Sequence, residues 1–275
     1  MKFLGVIVVC IYLLGNIFKG CKEIQLKNAG LEITVINVGK ADSILIEVEG
    51  TNILIDTGLN KTSNIVLDTL KEKNIEELDY LILTHMDKDH IGGAKIILEN
   101  IKVDNLVQAD QVVDSKRYEK LQEAITENNY EPILLRENMS FEVGNGKIEI
   151  QPGEKESYEQ SNDYSLIVTL EYGEKSFLFM GDAEEIRTEE FLNNNNNNKT
   201  YDFIKIPHHG RYHENSQDLI DEVKPKYAAI TCSKEKMPEK ELLNILNDND
   251  VKTYLTVDGD IVIKSDGKRI SITQE

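Results

Sequence analysis

Residues 79–100 read DYLILTHMDKDHIGGAKIILEN. So continuous an apolar strand is buried in a sheet, and a helix pattern follows directly, so the loop between them is held from both sides. His85 emerges at the strand's end, with Asp87, Asp89 and His90 on the turn beyond it. The chain has only five histidines, and the other three, His208, His209 and His213, share a second short stretch, PHHGRYH. Scattered use of histidine would not give two such clusters.

Strand, loop and helix recur along the chain. LEITVINV, SILIEVE and TNILIDTG alternate as strands and lead into the helical NIVLDTLKEKN. In the second half KIEIQP, YSLIVTLEYG and KSFLFMGD read as strands, AEEIRTEEFL as a helix, and YDFIKIPHHG as a strand ending in histidines. SQDLIDEV and PEKELLNILND read as helices around the strand YAAITC, and TYLTV, DIVIK and RISIT as strands. Two runs of strands, each with its own helices, predict a four-layer αββα sandwich with two sheets face to face and helices outside. The asparagine run 193–198 reads as a solvated loop between helix and strand. No domain linker is apparent.

A length of 275 residues suffices for a well-buried core, and 40% hydrophobic with 29% charged residues is ordinary globular composition. The 31 basic and 49 acidic side chains give a formal charge of −18, which opposes non-specific attraction to nucleic acid or anionic lipid. A polyanionic substrate would need a local feature to hold it. Residues 1–20 stand apart: Lys2, an apolar run from Phe3 to Phe18, then Lys19 and Gly20 before Cys21. This is the layout of an export signal or membrane anchor, since sixteen helical residues span roughly 24 Å against a hydrocarbon core of roughly 30 Å. Gly20–Cys21 also resembles the end of a bacterial lipoprotein signal, so cleavage, lipidation at Cys21 and an uncleaved anchor stay open. Each places the protein at the cell surface or outside. Residues 1–20 hold two lysines and no acid, so the chain beyond them carries −20. Cys232 reads as a small buried apolar residue in a strand.

Carboxylate oxygen and imidazole nitrogen suit zinc, manganese or iron. Asp89 alone would also serve as a helix cap. Further ligand types follow other apolar strands, however: Asp182 after FLFMG, and His208 with His209 after FIKIP. Three strand ends supplying such side chains predict one metal-binding pocket. No Ser–His–Asp arrangement for covalent catalysis is visible.

THMDKDHIGG resembles the histidine–aspartate signature of the metallo-β-lactamase superfamily, in the form found in the hydrolase domain of ComEC competence proteins. INVGKADSILIEVEGTNILIDTG, SNDYSLIVTLEYGEKSFLFMGDAE and KIPHHG resemble further blocks of that family, so the likeness covers residues 31–275. It implies the αββα metallo-β-lactamase fold and one or two divalent metal ions, zinc or manganese. It assigns Asp89, His90 and one of His208 and His209 to one metal, with His208 slightly favoured by its alignment on the following glycine. His85 and Asp87 fall to the other metal, and Asp182 to a bridge. Asp89 and Asp182 become the central catalytic carboxylates. Asp56 in ILIDTG is expected to orient a ligand histidine, or to be a plain turn aspartate. Asn162 or Asp163 stands where the wider superfamily has a histidine, and His213 is expected to be an exposed loop residue. Gly92–Gly93 allow either an anion at a helix start or close helix packing.

The resemblance implies an exported metal-dependent hydrolase, foremost a phosphodiesterase or nuclease acting through a metal-activated water, with DNA one candidate substrate. Lys40, Lys88 and Arg211 are the local cations available to a phosphodiester. The family's later histidine before proline is replaced by Met237 before Pro238, which points towards a different, smaller ester. Hydrolysis of another ester or lactone, and a non-catalytic module binding metal or nucleic acid, are the alternatives. No protein partner is inferable.

Overall fold

The computed structural model describes Leu26, residues 29–195 and residues 199–275. The expected export segment and Cys21 lie outside the described residues, as do residues 196–198 of the asparagine run.

The first sheet begins with β1 (Leu31–Val35), β2 (Ile44–Val48), β3 (Thr51–Ile55), β4 (Glu77–Leu83), β5 (Lys102–Ala109) and β6 (Ile133–Leu135). The second contains β7 (Met139–Val143), β8 (Gly146–Gln151), β9 (Ile167–Tyr172), β10 (Lys175–Phe179), β11 (Phe203–Lys205), β12 (Tyr227–Ile230) and β13 (Lys252–Leu255). The last two strands, β14 (Ile261–Ser265) and β15 (Ile270–Gln274), cross back to the first sheet, where β14 pairs antiparallel with β1. The sheet orders are therefore β15-β14-β1-β2-β3-β4-β5-β6 and β13-β12-β11-β10-β9-β8-β7.

Side-chain alternation fixes the layers. In β10, Phe177 and Phe179 join the core between the sheets, whereas Leu178 packs on the outer face. In β11, Phe203 faces the inner core and Ile204 the outer one, so the next residue, Lys205, returns to the inner face. Helices α1 (Ser63–Glu72), α2 (Ala94–Asn100) and α3 (Lys116–Glu127) cover the first sheet. Helices α4 (Glu185–Asn194), α5 (Ser216–Val223) and α6 (Lys240–Asp248) cover the second. Their apolar residues recur at helical spacing, as with Val66, Leu67 and Leu70 in α1 and Leu242 and Leu246 in α6. The four-layer αββα sandwich expected from the sequence is the fold observed.

Within it, β3 to β6 run parallel, as do β10 to β13. Their carboxyl ends therefore gather at one edge of each sheet, the usual place for a site in such sheets. Residues 101–145, to which the alternation patterns assign nothing, supply β5, β6, β7 and α3. Cys232 is buried, as expected, but lies just beyond β12 rather than within it. Among the described residues, no helix is long and apolar enough to cross a membrane.

Candidate metal centre

Asp42 apart, which lies between β1 and β2, the side chains of the cluster follow the carboxyl ends of parallel strands. Asp56 comes directly after β3, the 84–90 loop after β4, Asp182 soon after β10, and the 207–210 turn after β11. Gly92 and Gly93 let the ligand loop lie against the turn after β3. A Cβ on Gly92 would come within 2.3 Å of Lys88 O and 2.6 Å of Asn60 N, and one on Gly93 within 2.4 Å of Thr57 O. Close packing accounts for both glycines.

Three imidazoles are oriented by hydrogen bonds to their Nδ1 atoms. His90 Nδ1 lies 2.7 Å from Asp56 Oδ2, and a carboxylate can only accept, so this nitrogen carries the proton. Thr84 Oγ1 donates to Asp56 (2.7 Å), so it accepts from His85 Nδ1 at 3.2 Å. Thr231 Oγ1 donates to Asp42 Oδ1 (2.6 Å) and accepts from His209 Nδ1 at 2.8 Å. Nε2 is thus the inward-facing nitrogen of all three rings, and all three are buried without a hydrogen-bond partner, as is Asp182 Oδ1. His90 Nε2 and His209 Nε2 stand 3.3 and 3.1 Å from Asp182 Oδ2 without hydrogen-bond alignment. Buried polar atoms rarely go unpaired, and these four have the chemistry and orientation of ligands to a divalent cation.

The ligand atoms fall into overlapping groups. His85, His90 and Asp182 form one, Asp89, His90 and His209 a second, and Asp42, Asp182 and His209 a third, each with its donor atoms within 4.8 Å of one another. His90 and Asp182 link the groups, as a site for one or two divalent cations requires. Burial disfavours charge on Asp182, but His209 and His90 beside it hold its carboxyl well below the usual carboxylate range. His90 is lifted in return, despite its burial, by Asp182 and Asp56. Burial, aided by neighbouring His90, pushes His85 down to about 4.

The structure brings His85, Asp89, His90, Asp182 and Asp56 together, with Asp56 behind His90. Of the 208–209 pair it is His209, not the favoured His208, that faces the cluster; both residues have left-handed backbone, φ 47° and 54°, which turns their rings apart. Asp87 is drawn aside by Ser161 Oγ, which donates to its Oδ1 at 2.5 Å. Asn162 points away from His85: its Nδ2 donates to Glu184 Oε1 (2.9 Å) and lies 3.4 Å from His208 Nε2. Asp163 accepts the backbone N–H groups of Glu184 and Arg187 at the start of α4. His213, expected to be exposed, is buried, with Nδ1 3.0 Å from Glu185 Oε1 and Nε2 3.2 Å from His208 Nδ1.

Two charged residues of the centre escape the sequence reading. Lys205, on the inner face of β11, is fully buried; its Nζ pairs with Asp42 Oδ2, donates to Gly181 O (2.9 Å) and lies 3.6 Å from Asp182 Oδ1. Asp42, equally buried, thereby joins Lys205 to the Thr231–His209 pair. A lysine after two apolar strand residues was the available signal, for it had to be buried or paired.

A profile of the Metallo-beta-lactamase superfamily matches residues 36–233. ComE operon protein 3 of Bacillus subtilis is 28% identical over 246 residues, covering 82% of this chain and 32% of that protein. Recombination protein 2 of Haemophilus influenzae is 25% identical over 235 residues, covering 84% of this chain and 27% of that protein. The chain spans about a third or less of the length of these relatives. Among solved structures, the metallo-beta-lactamase fold protein YhfI from Bacillus subtilis superposes with a TM-score of 0.52 at 14% identity, covering 82% of this chain and 96% of that one. A putative metal-dependent hydrolase from Parabacteroides distasonis gives 0.52 at 16% identity, covering 82% and 92%. These structures share the sandwich, and the profile runs from the end of β1 past β12, through every strand end that supplies the cluster. The chain belongs to the metallo-β-lactamase superfamily.

Proposed function

We propose that this chain is a metal-dependent phosphodiesterase that works at the cell surface or outside the cell, its cations held by His85, Asp89, His90, Asp182 and His209. The observation that carries the reading is the cleft over the cluster. In a chain of formal charge −18, Lys40, Lys61, Lys88, Arg211 and Lys236 line the two depressions beside Asp89, His208 and His209. This is the local cationic feature that a phosphodiester requires and that a neutral lactam or lactone does not.

Divalent cations held by these residues would lower the pKa of a water towards neutrality and stabilise charge growing on the oxygens around the attacked phosphorus. The chain's own residues prepare the place. Asp56 and Thr231 hold Nδ1 of His90 and His209, so that Nε2 is the nitrogen each ring turns towards the cation site. His209 and His90 keep Asp182 in its charged form, with the Lys205 ammonium 3.6 Å from its Oδ1. The rim cations hold the non-bridging oxygens of the substrate and orient the scissile bond.

One relative bears the name Recombination protein 2, which makes DNA one substrate to test. Glu235 and Glu239 share the rim with these lysines, and the side chain of Met237 is 51% exposed there. These groups favour a small phosphodiester over a long strand. The deciding experiment assays the full-length protein in zinc and in manganese on bis-p-nitrophenyl phosphate, single- and double-stranded DNA, and nitrocefin. Metal-dependent phosphodiester cleavage with little lactam opening is expected, and Asp182→Ala should lose at least ~100-fold in rate with its circular dichroism unchanged. Lactam or lactone turnover without phosphodiester cleavage, or a metal-loaded protein inert to all substrates, would replace this reading.

A further inference from the structure

Glu184, His208 and His213 meet outside the cluster just described. Glu184 directly precedes α4, His208 lies on the turn after β11, and His213 stands just before α5. Their donor atoms lie within 4.8 Å of one another. His208 Nδ1 is 3.2 Å from His213 Nε2 and also 3.2 Å from Glu184 Oε1. His213 lies beyond KIPHHG, the last block of sequence that resembles the superfamily.

We propose that these three side chains form an additional binding site for a zinc-type divalent transition metal. Tetrahedral zinc with bonds of about 2.0–2.1 Å sets its ligand atoms roughly 3.3 Å apart. The two separations of 3.2 Å match that edge. With Asn162 Nδ2 3.4 Å from its Nε2, the metal-free His208 carries its one proton on Nδ1, between two acceptors at equal distance, and a cation would take that proton's place. One cation satisfies all three atoms.

The surroundings are those of a built ligand set. His213 Nδ1 lies 3.0 Å from Glu185 Oε1, so it donates there and leaves Nε2 as the lone-pair nitrogen. A carboxylate behind a ligand imidazole is the usual backing of a zinc site. Asn162 Nδ2 donates to Glu184 Oε1 at 2.9 Å and steadies that carboxylate. Two imidazoles and one carboxylate make a three-ligand set with room for an exchangeable fourth, and the nitrogen share favours zinc, cobalt or nickel over manganese. His208 is the immediate neighbour of His209. A cation here would pin the left-handed 208–209 turn to the starts of α4 and α5, and so hold His209 towards Asp182.

Zinc content of the full-length protein and of three variants tests this, with visible absorption of the cobalt-loaded forms as a second readout. Asp182→Asn disables the main centre and is expected to keep one equivalent of zinc with a nitrogen-ligated cobalt band. His213→Ala is expected to lose one equivalent relative to the unaltered protein. Glu184→Gln, which keeps the side chain's size, should lose the same equivalent and decides the matter if His213→Ala does not fold. Unaltered zinc content in His213→Ala or in Glu184→Gln, or no zinc at all in Asp182→Asn, overturns the proposal. Metal counting is independent of any phosphodiester turnover, so failure of the hydrolase reading leaves the result interpretable.

Discussion

The ammonium of Lys205 lies 3.6 Å from Asp182 Oδ1, buried completely, while its closest partner is the carboxylate of Asp42. Burial alone would lower this lysine, but Asp42 and Asp182 hold it above its ordinary value. Lys205→Met would leave Asp42 buried without a counter-charge. A loss of about 3–5 kcal/mol in unfolding free energy is expected, measured by denaturant titration of the metal-free protein. An unchanged midpoint would show that Thr231 and His209 suffice for Asp42.

Asp56 fixes His90 and accepts from both the backbone and the hydroxyl of Thr84. Its backbone φ is 58°, which asparagine tolerates. Asp56→Asn should therefore keep the turn and weaken metal affinity about 10- to 100-fold, through loss of the acceptor that orients His90. Competition with a chromophoric chelator gives the number; wild-type affinity would reduce Asp56 to a turn residue.

Far from the centre, Lys73 bridges Glu32 and Glu47 at 2.5 Å to each, and Lys264 reaches Glu32 at 2.8 Å. Partial burial raises the Glu32 carboxyl, yet Lys264 and Lys73 outweigh it and hold the group below its ordinary value. A depressed carboxyl contributes stability that is complete above its unfolded pKa, near 4.5, and is lost as pH falls through the folded one. Glu32→Gln should cost about 0.5–1 kcal/mol at pH 7 and nothing measurable well below pH 4. Parallel urea titrations at the two pH values check this, and a difference that persists in acid would point to packing instead.

Gly92 has backbone on three sides, with Gly58 O 2.7 Å from where a Cβ would sit, besides Lys88 O and Asn60 N. Gly92→Ala must push the ligand loop away from the turn after β3. About 1–3 kcal/mol of destabilisation is expected in thermal unfolding, together with weaker metal binding. Full stability with weakened metal binding would assign the glycine to the site alone.

Parts of this centre are legible because local chemistry dictates them. DYLILTH can only be a buried strand, so His85 and His90 had to fall at a strand end, and the same holds for Asp182 after FLFMG. What could not be read depends on distant partners. Asp42 and Thr231 are 189 positions apart, and Asp42 looks like any surface acid until Lys205 and Thr231 are placed beside it. His213 is buried because the start of α4 brings Glu185 to it, which its own neighbours in sequence do not announce. The choice between His208 and His209 rests on two successive left-handed residues, a backbone property with no signature in side-chain pattern. Within residues 101–145, β6 was hidden because it is three residues long and two of them are exposed at the edge of the first sheet.

The return of β14 to β1 sets an order on biosynthesis. As the polypeptide leaves the ribosome, β1 finds β2 at once, but its other flank meets its partner β14 only when residues 261–265 emerge, after every other strand of the described residues except β15. For almost the whole of translation the first sheet presents an unprotected strand to neighbouring chains, so nascent or prematurely terminated copies of this protein are prone to edge-to-edge association and candidates for chaperone protection.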